Sequence, residues 1–376
     1  MRFLPHLIFL GTLVSSALAW DEAGHEIVAT IAQIHLHPSA LPTICSILND
    51  TSPSPGKPLC HLASVATWAD SVRLEKRWSA PLHFVGAVDD HPSKTCLFPG
   101  KQGWEQNRNI LNGMRNVTNL LGDFVKKQRG GIIVREDMEL ANEALKFLIH
   151  FLGDLHQPLH LTGRNRGGND VKVLFNGNQT NLHKVWDKFL VEKAIRTTPP
   201  KYNYPLADKR VEYSLRGTYY DRYIRQIVAE GILDSWKHEI PDWLSCPRPK
   251  ISKDAPLAQM TERQSILSWA QWLVPDNDPS KGTDDAVLCP YTWAKKIHPL
   301  NCELAWPKEL DQEPRQRSVE IETGRMFPRS DFEELELDTP KYAGVIAERK
   351  LVEMMLAQGG VRLANALNSL FAEDVV

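Results

Sequence analysis

Apolar residues recur at helical spacing over most of this chain. Between residues 22 and 37, Ile27, Val28, Ile31 and Ile34 fall on one face. Between 136 and 157, Met138, Ala141, Leu145, Leu148 and Leu152 make a second stripe, and Pro158 stops the run. Residues 341–372 predict a further helical stretch, loosened at Gly359-Gly360. Alternation typical of a strand is scarce. Its best instance is Asp170–Phe175, flanked by Gly168 and Gly177. The class is mainly α.

Breaks in the pattern mark loops. Residues 51–58 are rich in Pro, Ser and Gly, residues 246–290 mix Pro, Asp and Lys, and residues 307–340 are charged and proline-punctuated. The last two read as insertions in one domain spanning 20–376, and there is no internal repeat. At the start, Arg2, an apolar run from Leu7 to Val14 and Ala17-Leu18-Ala19 read as a secretory signal over residues 1–19. Cleavage there would leave 357 residues beginning at Trp20 and move the formal charge from −2 to −3. No second apolar run reaches the ~20 residues that cross a bilayer, so export without a membrane anchor is expected.

Charge then excludes one class of partner interaction. A slightly acidic chain has no overall field for polyanions, so any binding of nucleic acid must come from local charge or metals. The six cysteines are even in number, and none forms a Cys-x-x-Cys pair. In an exported chain this favours disulfides over thiolate zinc sites. Sequons at Asn49, Asn116 and Asn178 are candidate N-glycan sites.

The strongest chemical signal is His150-x3-Asp154-x5-His160. Residues four apart share a helix face, so His150 and Asp154 point at one centre, away from the core stripe. The pattern repeats in His183-x3-Asp187. Asp70 and His83 each add a donor beside bulky apolar residues, and His25 lies near Trp20, whose freed amine and carbonyl could chelate. Nitrogen and oxygen donors suit zinc. Several metals suit phosphodiester hydrolysis, because a pair ~3.5–4 Å apart can activate water and clamp both attacking and leaving oxygens. A carboxylate must bridge such a pair, and Asp154 is placed to do so. His35, His37, His61, His91, His156, His238 and His298 show no matched carboxylate and read as surface, turn or supporting residues.

These residues resemble the S1/P1 nuclease family of secreted, zinc-dependent, single-strand-specific nucleases and 3′-nucleotidases. The motifs are Trp20-x4-His25, Thr67-Trp68-Ala69-Asp70-Ser71-Val72-Arg73, Leu82-His83-Phe84, the two His/Asp groups above, Gly167-Gly168-Asn169, and Gly359 to Asn365. The resemblance implies a single-domain, multi-helix fold of the phospholipase C/P1 nuclease type with a cleft for three Zn2+. One zinc would be held by Asp70, His83, His150 and Asp154, and a second by His160, His183 and Asp187. The third would take Trp20, His25 and the bridging Asp154. It further implies that Arg73 and Asn169 grip the scissile phosphate and that Phe84 stacks on the base 5′ to it, with Arg166 a candidate for the far side of that slot. Substrates would be single-stranded DNA and RNA and 3′-nucleotides, acted on by a monomer.

Relatives often carry an acid at the position of Gly86, where it bonds the base edge. With glycine there, the four bases are expected to differ only modestly as substrates. Cys96 and Cys302 match a family disulfide, which leaves Cys45–Cys60 and Cys246–Cys289 as the simplest other pairs. Zinc-dependent phospholipase C, which shares the scaffold and a mature N-terminal Trp, is the alternative reading.

Overall fold

The structure is a computed structural model that describes residues 20–50, 56–247, 283–311 and 334–373. Four long helices frame it: α1 (Glu22–His35), α2 (Ile110–Arg129), α3 (Arg135–Asp154) and α4 (Leu351–Phe371). Asp21 caps α1 by accepting the Glu22 N–H at 2.9 Å, and Asn109 caps α2 through the N–H groups of Leu111 and Asn112. α1 packs along α4, and α2 along α3. The expected stripe on α3 is seen, with Ala141, Leu145, Leu148 and Leu152 buried. From Phe147 to Asp154 every residue is buried, so this end of α3 is enclosed on all sides, as a helix with both a core face and a polar buried face must be. One continuous apolar cluster reaches from Trp20 to Phe371.

The C-terminal helix differs from expectation. α4 runs unbroken through Gly359-Gly360, and the interruption falls at Lys350, whose φ is +50°. The glycines serve packing. A Cβ on Gly360 would overlap Ile31 of α1, and one on Gly359 would stand 3.2 Å from the carbonyl of Leu152 on α3. The pair therefore lets three helices meet closely, and that packing offsets the low helix propensity of glycine.

The expected strand is β1 (Lys172–Phe175). It pairs antiparallel with β2 (Asn178–Asn181) through an Asn176-Gly177 turn with φ of +52° and +73°, the combination a two-residue hairpin requires. Leu335 and Leu337 hydrogen-bond to Leu174 on the other edge, so the end of the 307–340 segment is part of this small sheet. Disulfides join Cys45–Cys60, Cys96–Cys302 and Cys246–Cys289. Among the described residues no helix is long and apolar enough to cross a membrane. The signal reading at 1–19 and most of the 246–290 and 307–340 segments lie outside the described residues.

Candidate metal centre

His150 and Asp154 end α3 one turn apart, both fully buried, with Nε2 and Oδ2 separated by 3.3 Å. Two short elements bring them partners. A four-residue helix, Trp68–Ser71, carries Asp70, and a 3-10 helix, Arg77–His83, ends on His83. His83 Nδ1 lies 3.0 Å from Asp154 Oδ2, 3.2 Å from His150 Nε2 and 3.8 Å from Asp70 Oδ1. His150 Nε2 lies 3.7 Å from Asp70. Four donors thus converge on one point.

A second group forms beside it. His160 sits on the 3-10 turn Pro158–Leu161. His183 and Asp187 lie on a helical run that widens to a π-turn over Val185–Phe189, a distortion frequent at functional sites. His183 Nε2 is 3.2 Å from Asp187 Oδ2, and His160 Nε2 is 4.0 Å from Asp187 Oδ1. A third group comprises His25, His150 and Asp154. The His25 ring stacks on His150 at 3.8 Å, and its Nε2 lies 3.4 Å from Asp154 Oδ1. The two oxygens of Asp154 therefore divide their neighbours: Oδ2 faces His83 and His150, and Oδ1 faces His25.

The donor chemistry fits metal. Carbonyl oxygens can only accept, so three histidines have their Nδ1 proton assigned by their partners. His150 donates to Ala66 O at 2.8 Å, His160 to His83 O at 2.7 Å and His183 to Gly167 O at 2.6 Å. In its neutral form each ring then turns an Nε2 lone pair inward, which is how metal-binding histidines are usually oriented. Both ring nitrogens of His25, Nε2 of His160 and one oxygen each of Asp70 and Asp154 are buried without a hydrogen-bond partner, a costly arrangement unless a cation meets them. The electrostatics agree. Burial pushes the Asp187 carboxyl well above its usual range, and the Gln157 hydrogen bond only partly opposes this. Burial favours neutral His150, yet Asp154 and Asp70 push it up to about 9. The cleft attracts positive charge.

Trp20 is fully buried. The next residue, Asp21, donates its N–H to Asp187 O at 3.0 Å, which pins the chain beside the second group. Of the residues expected at the substrate, Arg73 lies 4.0 Å from Asp70, and Phe84 is half-buried directly after His83. Asn169 donates its side-chain amide to Arg166 O at 2.8 Å. Arg166 extends to the surface, where it pairs with Asp170 at 3.2 Å.

Sequence reading missed two supporting residues. Gln157 is fully buried, and its amide donates to Asp187 Oδ1 at 2.6 Å while its carbonyl accepts from the Leu159 N–H. Gly153 admits the His25 ring, because a Cβ there would stand 2.5 Å from Nδ1. The same approach explains Gly167 (φ +63°), whose carbonyl holds His183. Two histidines read as lacking carboxylates do have them. His298 is buried 2.9 Å from Asp90, and His91 lies 3.5 Å from Asp311. Those partners come from distant segments, so no short spacing could show them. His298 also adjoins Cys96 and Cys302, but their disulfide leaves no thiolate for a metal.

Comparison with known proteins agrees with this geometry. The S1/P1 Nuclease family matches residues 20–372, and the chain belongs to that family. It is similar to Endonuclease 3 of Arabidopsis thaliana, 26% identical over 98% of this chain and 95% of the relative. It is equally similar to Nuclease P1 of Penicillium citrinum, 26% identical over 95% and 99%. Nuclease S1 of Aspergillus oryzae is 33% identical over 58% of this chain and 70% of its own length. The chain is therefore a nuclease, a hydrolase of phosphodiester bonds, and its substrate class is nucleic acid. The family is in general zinc-dependent.

Proposed function

We propose that this protein is a secreted endonuclease of single-stranded DNA and RNA that uses three zinc ions, releases 5′-phosphorylated products and also dephosphorylates 3′-nucleotides. The carrying observation is the division of Asp154 between two histidine groups. In this reading Asp70, His83, His150 and Asp154 hold one ion, and His160, His183 and Asp187 a second. Trp20, His25 and Asp154 hold the third, once cleavage after Ala19 frees the Trp20 amine. Bound zinc supplies an activated water and the Lewis acid that such hydrolysis needs.

The chain's own residues then bind and orient the substrate. Arg73, beside Asp70, offers a planar guanidinium to phosphate oxygens. Asn169 adds an amide from the turn that also holds His183, and Arg166 reaches outward towards neighbouring phosphates or bases. Phe84 offers a stacking face next to His83, open to an unpaired base and closed to a paired one. Diester cleavage to 5′-phosphates and removal of a 3′-phosphate both break the P–O3′ bond, so one site serves both. Residues 20–376 act as one domain, and the enzyme works as a monomer. Exposure of Asn49 and Asn178 supports N-glycans there, and Asn116 is partly covered.

The test is release of 5′-mononucleotides from single-stranded DNA and RNA, set against duplex DNA and against release of phosphocholine from a phospholipid. Equal rates on single and double strands would defeat the specificity, and release of phosphocholine alone would defeat the nuclease reading.

A further inference from the structure

Gly86 and Glu105 face each other across a short antiparallel pairing. Ala87 and Trp104 form its bridge. The adjacent residues are Gly86 and Glu105, and the Glu105 N–H donates to Gly86 O at 2.9 Å. Directly opposed residues project to the same face of such a pair. Phe84 is extended, with φ −151° and ψ 170°, and residues two apart in extended chain also share a face. The Phe84 ring, the bare side of Gly86 and the Glu105 side chain thus occupy one face.

Two glycines make room for that side chain. A Cβ on Gly163 would fall within contact of both carboxylate oxygens, and one on Gly86 would first meet the Gly163 backbone, 2.6 Å away, with Glu105 Oε2 at 3.0 Å. Gly163 follows ligand candidate His160 by three residues, and Gly86 follows His83 by three. The carboxylate therefore lies over the segments that carry two of the histidines, beside the aromatic face. Partial burial, then the charge of Asp90, push the Glu105 carboxyl above the usual carboxylate range, and among the described residues no side-chain hydrogen bond offsets them. The charged form gains from any donor that arrives.

We infer that Glu105 determines base specificity: its carboxylate accepts from the Watson–Crick edge of the base stacked on Phe84 and selects guanine there. This rests on the stacking slot of the proposed function. A carboxylate is acceptor-only, with two oxygens to satisfy. Guanine offers two adjacent donors, N1–H and the N2 amine. Adenine and cytosine offer one donor beside an acceptor, and uracil or thymine one N–H between two carbonyls. Only guanine satisfies both oxygens, a bidentate match expressed as a preference of about tenfold. The carboxylate absent at position 86 arrives from position 105, in place of the modest preference that Gly86 alone suggests.

The test uses the full zinc-loaded enzyme and four dinucleotides, GpA, ApA, CpA and UpA, with bis(4-nitrophenyl) phosphate as a diester without a base. Wild type should show the highest kcat/KM on GpA, about tenfold above UpA. Glu105→Gln places an acceptor beside a donor, so GpA should fall about tenfold and ApA should overtake it, with zinc content and the base-free diester unchanged. Glu105→Asp should keep GpA first with a smaller lead. An unchanged base order in Glu105→Gln, or an equal fall on all five substrates, would overturn the inference and leave the nuclease reading intact. Failure of wild type to cleave any dinucleotide would defeat the slot itself and this inference with it.

Discussion

His160 donates its Nδ1–H to the backbone carbonyl of His83, 2.7 Å away, and the N–H of Val85 returns a bond of 2.8 Å to His160 O. One donor residue of the second group is thus oriented by the backbone of a donor residue of the first. The link couples the two groups, because the His160 ring cannot turn without breaking a buried hydrogen bond to the backbone that carries His83. The segment so fixed continues through Phe84 to Gly86, and this carries the precision of the histidines to the proposed base slot.

Asp154→Asn is expected to damage the enzyme more than Arg73→Ala. Neutralising Asp154 removes charge from two histidine groups at once. At least one zinc should be lost, together with nearly all activity. Arg73→Ala removes only the proposed contact to the phosphate, so turnover should fall about 100-fold with zinc content intact. Elemental analysis on both variants checks this, and equal zinc occupancy in the two would refute the bridging role.

Chelation should abolish activity and also lower the melting temperature. Without cations, Asp70, Asp154 and Asp187 crowd one cleft, and Asp187 is buried against its charged form. Metal binding free energy is then folding free energy. Calorimetry with and without chelator, followed by zinc restoration, is the measurement. An unchanged melting temperature would mean that the ions serve chemistry alone, and fewer than two zincs per active chain would argue against three sites.

Gln157→Ala should weaken zinc binding without removing a ligand. The Gln157 amide is the hydrogen-bond partner that orients Asp187 Oδ1, and loss of such supporting partners typically costs about 10–100-fold in metal affinity or activity. Chelator competition should show the loss at one site only. Unchanged affinity would reduce Gln157 to a cap for the turn at Leu159.

Gly360→Ala should destabilise the protein although alanine favours helices. The propensity gain is at most ~1 kcal/mol. The new Cβ overlaps the branched Cβ and Cγ2 of Ile31 and stands 3.0 Å from Val28 O, which cannot move aside cheaply. Overpacking of this kind costs ~1–3 kcal/mol, so a net loss is expected in denaturant melts. A more stable variant would show that α1 and α4 can slide apart freely.

How much of this was legible depends on the range of each contact. The pairs His150/Asp154 and His183/Asp187 could be read directly, because a helix converts a spacing of four into a shared face. The helical class followed from the same periodicity. His25, Asp70, His83 and His160 could be named as candidate donors, but their grouping around particular ions was readable only through family resemblance, since no shared periodicity joins the separate helices and 3-10 turns that carry them. Gly359-Gly360 was misread because local propensity says break, while the approach of α1 says pack. Asp90–His298 and Gly86–Glu105 join segments with no shared pattern, and only the folded chain shows them.

Phe84→Ala should impair handling of single strands and spare the metals. Phe84 follows His83 on an extended stretch held by hydrogen bonds from Val85 N–H to His160 O and from Ile110 N–H to Phe84 O. The ring is half-buried, so its backbone is fixed while a face remains available. Lost stacking is worth ~1–3 kcal/mol per base, which should appear as a fall of about tenfold or more in kcat/KM on oligonucleotides. A small phosphodiester without a base has nothing to stack and should be affected far less. The guanine preference should collapse along with the stacking, because Glu105 can read only a base that Phe84 holds in place. Equal slowing of oligonucleotide and base-free diester would show that Phe84 packs the floor beneath His83, and the slot would have to be sought elsewhere.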